Sequence, residues 1–273
     1  MVDAVVTASI APLTKSPSCG AETTDEVLHG MSVKIISTER SDKLFVKTYY
    51  GYRGYVERKL VTTAPEIVDA YTHAGFSRRI VIAPFADAHA RPGVKPYVIR
   101  TLTKGAIVRV LQNESDYAEV LLADMQTGYI LSSQLGSLPR EMPLDSEDDI
   151  REAVVNTAVG YINSRYRWGG KTPVGIDCSG LCHISYLMNG IYISRDTWLT
   201  DEFPVRIVHI NKAKPADLIY FNSHVAMYLG DGRYIHSSVK NDGVMINSFR
   251  ISDTEFIFDR ELCEGAICAA SVF

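Results

Sequence analysis

The chain has 273 residues, 46% of them hydrophobic and 22% charged, with a formal net charge of −4. That length fits two or three cores of ordinary size, and the balance is that of a soluble globular protein rather than a disordered one. An acidic total with no concentrated basic run argues against a nucleic-acid-binding surface.

Taken in order, the chain opens on short alternating strands. Val5 to Ser9, Val33 to Ile36, Leu44 to Lys47 and Gly54 to Val56 are broken by turn-prone clusters such as Lys15-Ser16-Pro17-Ser18. The plan then repeats: Ile80 to Ile82, Ala106 to Val110, Ala118 to Leu122 and Gly128 to Ile130 follow the same order. Both copies end in a Gly-aromatic-aliphatic triplet with a leucine shortly after, Leu60 and Leu135. Two copies of one small β barrel are expected, over 1-66 and 76-137.

Residues 138-147 turn to Ser, Pro, Asp and Glu and read as a linker. Ser146, followed by Asp148 and Asp149, caps a predicted helix whose apolar face is Ile150, Val154, Val155, Ala158, Val159 and Ile162. A glycine-rich loop, Tyr166 to Ile176, leads into Asp177-Cys178-Ser179-Gly180, and a second helical pattern begins at Leu181. Beyond Arg206 the chain returns to strands at 218-221, 225-229, 233-236 and 244-246. Helices followed by a strand run predict an α+β domain over 148-273.

The five cysteines, at 19, 178, 182, 263 and 268, form neither a disulfide framework nor a zinc-site spacing, so no metal or other cofactor is expected. The odd count favours a reducing compartment. The start Met1 to Val6 lacks the pattern of an export signal, and no apolar run approaches the ~18 residues of a membrane span. The expectation is a cytoplasmic protein with no membrane association, periplasmic or secreted if a leader has been trimmed.

Cys178 falls at the first turn of the second helix. A free cysteine is ordinarily a small buried hydrophobe. At a helix N-terminus, however, free N–H groups and the dipole favour a thiolate, so a lowered pKa is expected. A cysteine nucleophile needs a base, and the base needs a polar group that orients it. Of the seven histidines, His29, His73 and His89 fall among the β repeats, where surface or turn positions are expected. His183 points away from the thiol on its own helix, and His209 precedes a loop without an evident role. His224 opens a strand and His236 ends the next, across a turn at Gly230-Asp231-Gly232, so a hairpin brings the two together.

The segments Tyr166-x-Trp168-Gly169-Gly170, Asp177-Cys178-Ser179-Gly180, Pro215-Ala216-Asp217-Leu218, His224-Val225-Ala226-Met227-Tyr228-Leu229-Gly230 and Tyr234-Ile235-His236-Ser237 together resemble the NlpC-type cysteine peptidases, which cut cell-wall peptides. The resemblance covers roughly 150 to 260 and implies a papain-like catalytic domain. By position, Cys178 is the nucleophile, His224 the general base and His236 its orienter. Tyr166 stands beside the oxyanion site, and Asp177 and Ser179 flank the thiol as substrate contacts. Trp168, Gly169 and Gly170 shape the loop.

Two N-terminal bacterial SH3-like domains ahead of such a domain resemble the YkfC-like γ-D-glutamyl-L-diamino acid endopeptidases. That resemblance implies cleavage of murein peptides, L-Ala-γ-D-Glu followed by meso-diaminopimelate or L-Lys, with recognition of the free L-Ala amine. Glu22 and Tyr52 of the first barrel, with Asp196 and Thr197, take the amine-binding positions; Glu26 is the alternative to Glu22, and Thr197 replaces a serine. The other functions in view are an NlpC-related amidase or acyltransferase on a different amide, and a non-catalytic wall-binding protein.

Overall fold

Alternating burial drives the first half of the chain into strands: Leu44, Val46 and Thr48 are buried between half-exposed Lys43, Phe45 and Lys47. The computed structural model describes residues 2–38, 42–113, 116–138, 146–198, 203 and 205–273. The chain divides into two units, Met1–Leu138 and Pro139–Phe273. Most of the linker expected over 138-147 lies outside the described residues.

In the first unit, strands β1 (Val2–Val6), β2 (Ile10–Thr14), β3 (Thr23–Leu28), β4 (Ser32–Ser37), β5 (Lys43–Thr48), β6 (Arg53–Glu57) and β7 (Val61–Thr62) form one sheet. Helix α1 (Pro65–Thr72) follows. Strands β8 (Arg78–Val81), β9 (Phe85–His89), β10 (Val98–Thr103), β11 (Ile107–Asn113), β12 (Tyr117–Leu121), β13 (Thr127–Leu131) and β14 (Leu135–Gly136) form the second. The strand orders are β3-β2-β6-β5-β4-β1-β7 and β10-β9-β13-β12-β11-β8-β14. The second is the first shifted by seven strands, so the internal repeat read from the sequence is a repeat of topology. Each order is open among the described residues, with β3 and β7, or β10 and β14, at its ends. Two seven-stranded sheets therefore stand where closed barrels were expected.

Both repeats lie in one unit, and α1, which the sequence reading passed over, joins them. Ile67, Ala70 and Tyr71 pack with Val5 of the first sheet and Ala123 beyond the second sheet's β12. His29 completes the junction and corrects its reading as a surface or turn residue: it is fully buried. Its Nδ1 donates to the Thr7 carbonyl at 2.9 Å and its Nε2 accepts from the Ala123 N–H at 3.0 Å. That pairing fixes the neutral Nδ1–H tautomer. β2 and β3 were not legible as strands because Pro12 interrupts one and the buried acids Asp25 and Glu26 break the apolar pattern of the other.

In the second unit, α2 (Glu147–Val159) is capped by Ser146, whose hydroxyl accepts from the Asp149 N–H at 3.2 Å. It stops short of the expected Ile162; Gly160 is its C-cap, and Val159 and Ile162 are exposed. Its buried face is Arg151, Val154 and Ala158. Arg151 Nη1 donates to Asp217 Oδ1 at 2.8 Å and Nη2 to Ser271 Oγ at 3.1 Å, so an ion pair supplies part of the contact expected to be wholly apolar.

β15 (Lys171–Thr172) and β16 (Gly175–Ile176) form a small hairpin before α3 (Cys178–Leu187), all ten residues of which are buried. The remaining strands are β17 (Arg206–Val208), β18 (Leu218–Phe221), β19 (His224–Gly230), β20 (Arg233–Ser238), β21 (Gly243–Ser248) and β22 (Ile257–Phe258); helix α4 (Arg260–Glu264) and strand β23 (Ala266–Ser271) end the chain. They build a sheet of order β17-β23-β18-β19-β20-β21-β22, with β18, third in that order, buried along its whole length. α3 packs on β19 and β20. The β19–β20 turn is made by Asp231 and Gly232, both in the left-handed region at φ +50° and +72°. A two-residue loop of that kind follows the natural twist of the hairpin.

Candidate active site

The thiol is positioned by the way α3 begins. Asp177 is the N-cap, and its Oδ1 accepts from the Gly180 N–H at 2.6 Å. Its Oδ2 accepts from the Gly169 N–H at 2.7 Å, which ties the glycine loop to the helix start. Arg195 donates to both oxygens, Nη1 to Oδ1 at 3.0 Å and Nη2 to Oδ2 at 3.1 Å. The loop also passes so close that a Cβ at Gly180 would stand 2.1 Å from the Gly170 carbonyl oxygen, so only glycine fits.

Cys178 follows the cap and is 6% exposed. The N–H groups of Val225 and Ser179 donate toward its sulfur and favour the thiolate, the second as the helix-start argument requires. They do not decide the outcome. Burial, joined by the neighbouring Asp177 carboxylate, pushes the thiol up to about 11. The lowered pKa expected from the helix terminus is therefore reversed, because desolvation costs the anion more than the helix start returns.

Val225 is the residue after His224, which opens β19. His224 Nε2 and His236 Nδ1 are 2.9 Å apart, with the rings edge-on. Burial lowers His224 to about 4; burial and then His224 lower His236 to about 3. Both rings are neutral at pH 7. With Nε2 engaged by His236, Nδ1 is the nitrogen of His224 left to act as base. At rest the thiol and the two paired imidazoles are all neutral.

Tyr166 lies between two turns of chain: its N–H donates to the Asp242 carbonyl at 3.1 Å and it bridges to Ile176. Burial raises its phenol, with the Cys178 and Asp177 charges adding to the shift, so the O–H remains a donor. Ser179 Oγ donates to Asp177 Oδ1 at 3.2 Å and accepts from Arg195 Nη1 at 2.8 Å. Asp177 and Ser179 thus have internal partners that hold the helix start. Asp196 and Thr197 follow Arg195 and are half-buried, the Asp196 N–H donating to Ser194 Oγ at 3.2 Å. Trp168 is mostly exposed.

Glu22 and Tyr52 belong to the first unit. Glu22 is exposed and pairs with Lys15 at 3.5 Å, whereas Glu26 is buried on β3. Tyr52 is half-buried before β6, its N–H donating to Thr48 Oγ1 at 3.0 Å. His183 is buried, with Nδ1 3.2 Å from the Ile193 carbonyl, and His209 caps a short turn by accepting from the Asn211 N–H.

A family model described as the NlpC/P60 family matches residues 163–256, which span Tyr166, Cys178, His224 and His236. Along its whole length the chain is 35% identical to the dipeptidyl-peptidase 6 of Lysinibacillus sphaericus, over 276 aligned residues covering 100% of both.

The chain belongs to the NlpC/P60 family.

It is a cysteine peptidase of that family, with a function in peptidoglycan peptide hydrolysis. A γ-D-glutamyl-L-lysine dipeptidyl-peptidase of Bacillus cereus is 30% identical over 200 residues, which cover 68% of this chain and 56% of that one. The crystal structure of an NlpC/P60 family protein from Bacillus cereus superposes with a TM-score of 0.81 over 98% of each chain at 21% identity, a shared fold.

In this NlpC/P60 chain, sequence reasoning missed Arg195 as the partner of Asp177, although it stands beside the Asp196 that was singled out. It also missed the Val225 N–H at the sulfur. No residue-type signal finds a backbone donor; only the meeting of α3 with β19 does.

Proposed function

We propose that the enzyme hydrolyses the γ-D-glutamyl to L-diamino acid bond of murein peptides with a free N-terminal L-Ala. The observation that carries the chemistry is the approach of the Val225 N–H to the Cys178 sulfur together with the 2.9 Å His224–His236 contact. The similarity to proteins named γ-D-glutamyl-L-lysine dipeptidyl-peptidases supports the bond.

In this reading His224 Nδ1 takes the Cys178 proton as Sγ adds to the γ-carbonyl carbon. Proton transfer in the same step removes the need for a standing thiolate. The oxyanion is held by the Cys178 N–H and the Tyr166 O–H. His224 then protonates the leaving amine of the diamino acid, leaving a thioester on Cys178. Water, deprotonated by His224, releases the D-glutamyl acid and restores the thiol. His236 orients His224 throughout.

Amine recognition is assigned to Asp196 and Thr197 of the second unit. The two β repeats are read as SH3-like modules, each an open seven-stranded sheet, ahead of a catalytic domain over 148-273. An enzyme limited to free-amine fragments suits cytoplasmic peptide recycling.

The test is incubation with free and with N-acetylated L-Ala-γ-D-Glu-meso-diaminopimelate, products read by mass spectrometry. Release of diaminopimelate from the free peptide alone is expected. Equal rates would end the amine assignment, and cleavage at another amide would end the bond assignment.

A further inference from the structure

Four rings close on one another at the His224 end of β19. The centroids of His224 and His236 are 5.1 Å apart, those of His236 and Tyr234 5.3 Å, those of Tyr234 and Phe221 6.2 Å, and those of Phe221 and His224 5.6 Å. Every step is tilted or edge-on, within the roughly 4.5 to 7 Å at which aromatic rings attract.

Strand register explains the circuit. Phe221 stands directly opposite His224 across the β18–β19 turn, and Tyr228 opposite Tyr234 on β19 and β20. Alternate residues of a strand share a face, so His224 goes with Tyr228 and His236 with Tyr234, and all four rings lie on one side of the sheet. Between His224 and Tyr228 on that side stands Ala226, fully buried in one cluster with Phe221 and Tyr234. Its small side chain leaves Phe221 on β18 and Tyr234 on β20 room to meet across the strand between them.

A single N···N contact fixes where two imidazoles touch, but each ring can still turn about that line. The 2.9 Å His224–His236 contact therefore needs a further hold to keep the rings at 79° to each other. His236 Nε2 is buried with no partner within hydrogen-bond geometry, so no polar contact at that nitrogen supplies it. The aromatic rings do: Phe221 lies against His224 and Tyr234 against His236, and they are 4% and 0% exposed. Tyr234 Oη is likewise buried without a partner, so what Tyr234 brings is its ring.

We infer that Phe221 and Tyr234 are positioning residues, two sides of a four-ring circuit that sets the planes of the His224–His236 pair and keeps water from it. This role rests on the proposed reading of His224 as base and His236 as its orienter. The titratable groups bearing on His236 from its surroundings are His224 on β19 and Asp259 at the start of α4, the latter paired with Lys240 at 2.9 Å. Burial raises the Tyr234 phenol, which stays neutral throughout the acid range.

The experiment compares Tyr234→Leu and Phe221→Leu, which remove a ring but stay apolar, with Tyr234→Phe, which restores the ring without the hydroxyl. Urea unfolding gives the folded fraction of each, and turnover of L-Ala-γ-D-Glu-meso-diaminopimelate is expressed per folded molecule. Each leucine variant should lose kcat about tenfold or more with KM little changed, because a base turned out of line weakens the transition state and not binding. Nitrogen-15 spectra of the histidine-labelled proteins between pH 7 and 3 follow the pair without substrate. In the leucine variants the pair should take up its proton about one pH unit or more above wild type, because water reaches the rings. Tyr234→Phe should recover most of both losses. Packing alone would lower stability while leaving kcat per folded molecule and the titration unmoved; that result in both leucine variants would overturn the inference, as would a Tyr234→Phe protein as impaired as Tyr234→Leu. His224→Ala should lose turnover. If it stayed active, the base reading would fall and this role with it, whereas leucine variants of wild-type behaviour beside an inactive His224→Ala would overturn the inference alone. If Tyr234→Leu does not fold, Phe221→Leu decides it by the same two readouts.

Discussion

Arg195 grips the Asp177 carboxylate as a fork, nitrogen to oxygen at 3.0 and 3.1 Å, with both side chains buried. One carboxylate thereby caps α3, holds the glycine loop and faces a fixed cation, so the place of the thiol depends on a residue that touches no reacting atom. Arg195→Met strands a buried charge. Loss of about 3 kcal/mol of stability is expected, read by urea unfolding. In the surviving folded fraction kcat/KM should fall by about tenfold or more, since a displacement of about 1 Å costs that much or more. Arg195→Lys should recover only part of either, because an ammonium cannot bridge both oxygens.

Cys178 is held up at about 11 and His224 down at about 4, so the resting site is not an ion pair. Alkylation of the free enzyme by iodoacetamide should therefore be slow at pH 7 and rise steadily toward pH 11. A plateau between pH 4 and 8 would mean that a thiolate–imidazolium pair forms. The acid limb of kcat/KM, which reports the base of the free enzyme, should lie near pH 4 rather than 6.5.

Tyr166→Phe removes a phenolic donor and little volume. If the O–H stabilises only the oxyanion, kcat should drop about 10²- to 10³-fold with KM almost unchanged. An equal loss in KM would instead make Tyr166 a substrate contact.

His29 makes the first unit acid-sensitive. Burial lowers it from 6.5 to about 4 in the folded chain. As pH falls, the unfolded chain therefore takes up this proton first. No penalty exists above about pH 6.5, and one of about 3 kcal/mol accumulates by about pH 4. Denaturant unfolding between pH 7 and 4 should show this loss. His29→Gln, which does not titrate, should flatten it while lowering stability at pH 7. A protonated His29 would also turn its Nε2 acceptor into a donor against the Ala123 N–H.

Much of this protein was legible before any coordinates. Hydrophobic alternation and punctuation determined the strand-rich first half, its duplication, the helix start at Cys178 and the β19–β20 hairpin, because each depends on neighbours a few residues away. The order of Cys178, His224 and His236 carried the family. Only the tertiary structure decided the rest, since it depends on groups far apart in sequence sharing one dry environment. Burial, which no local pattern measures, reversed the expected thiol pKa and made His29 a neutral joint between the repeats. Arg195 reached Asp177 across a loop, and Arg151 met Asp217 from 66 residues away in sequence. Low dielectric and fixed partners gave these residues their roles, and both arise only when the chain has folded.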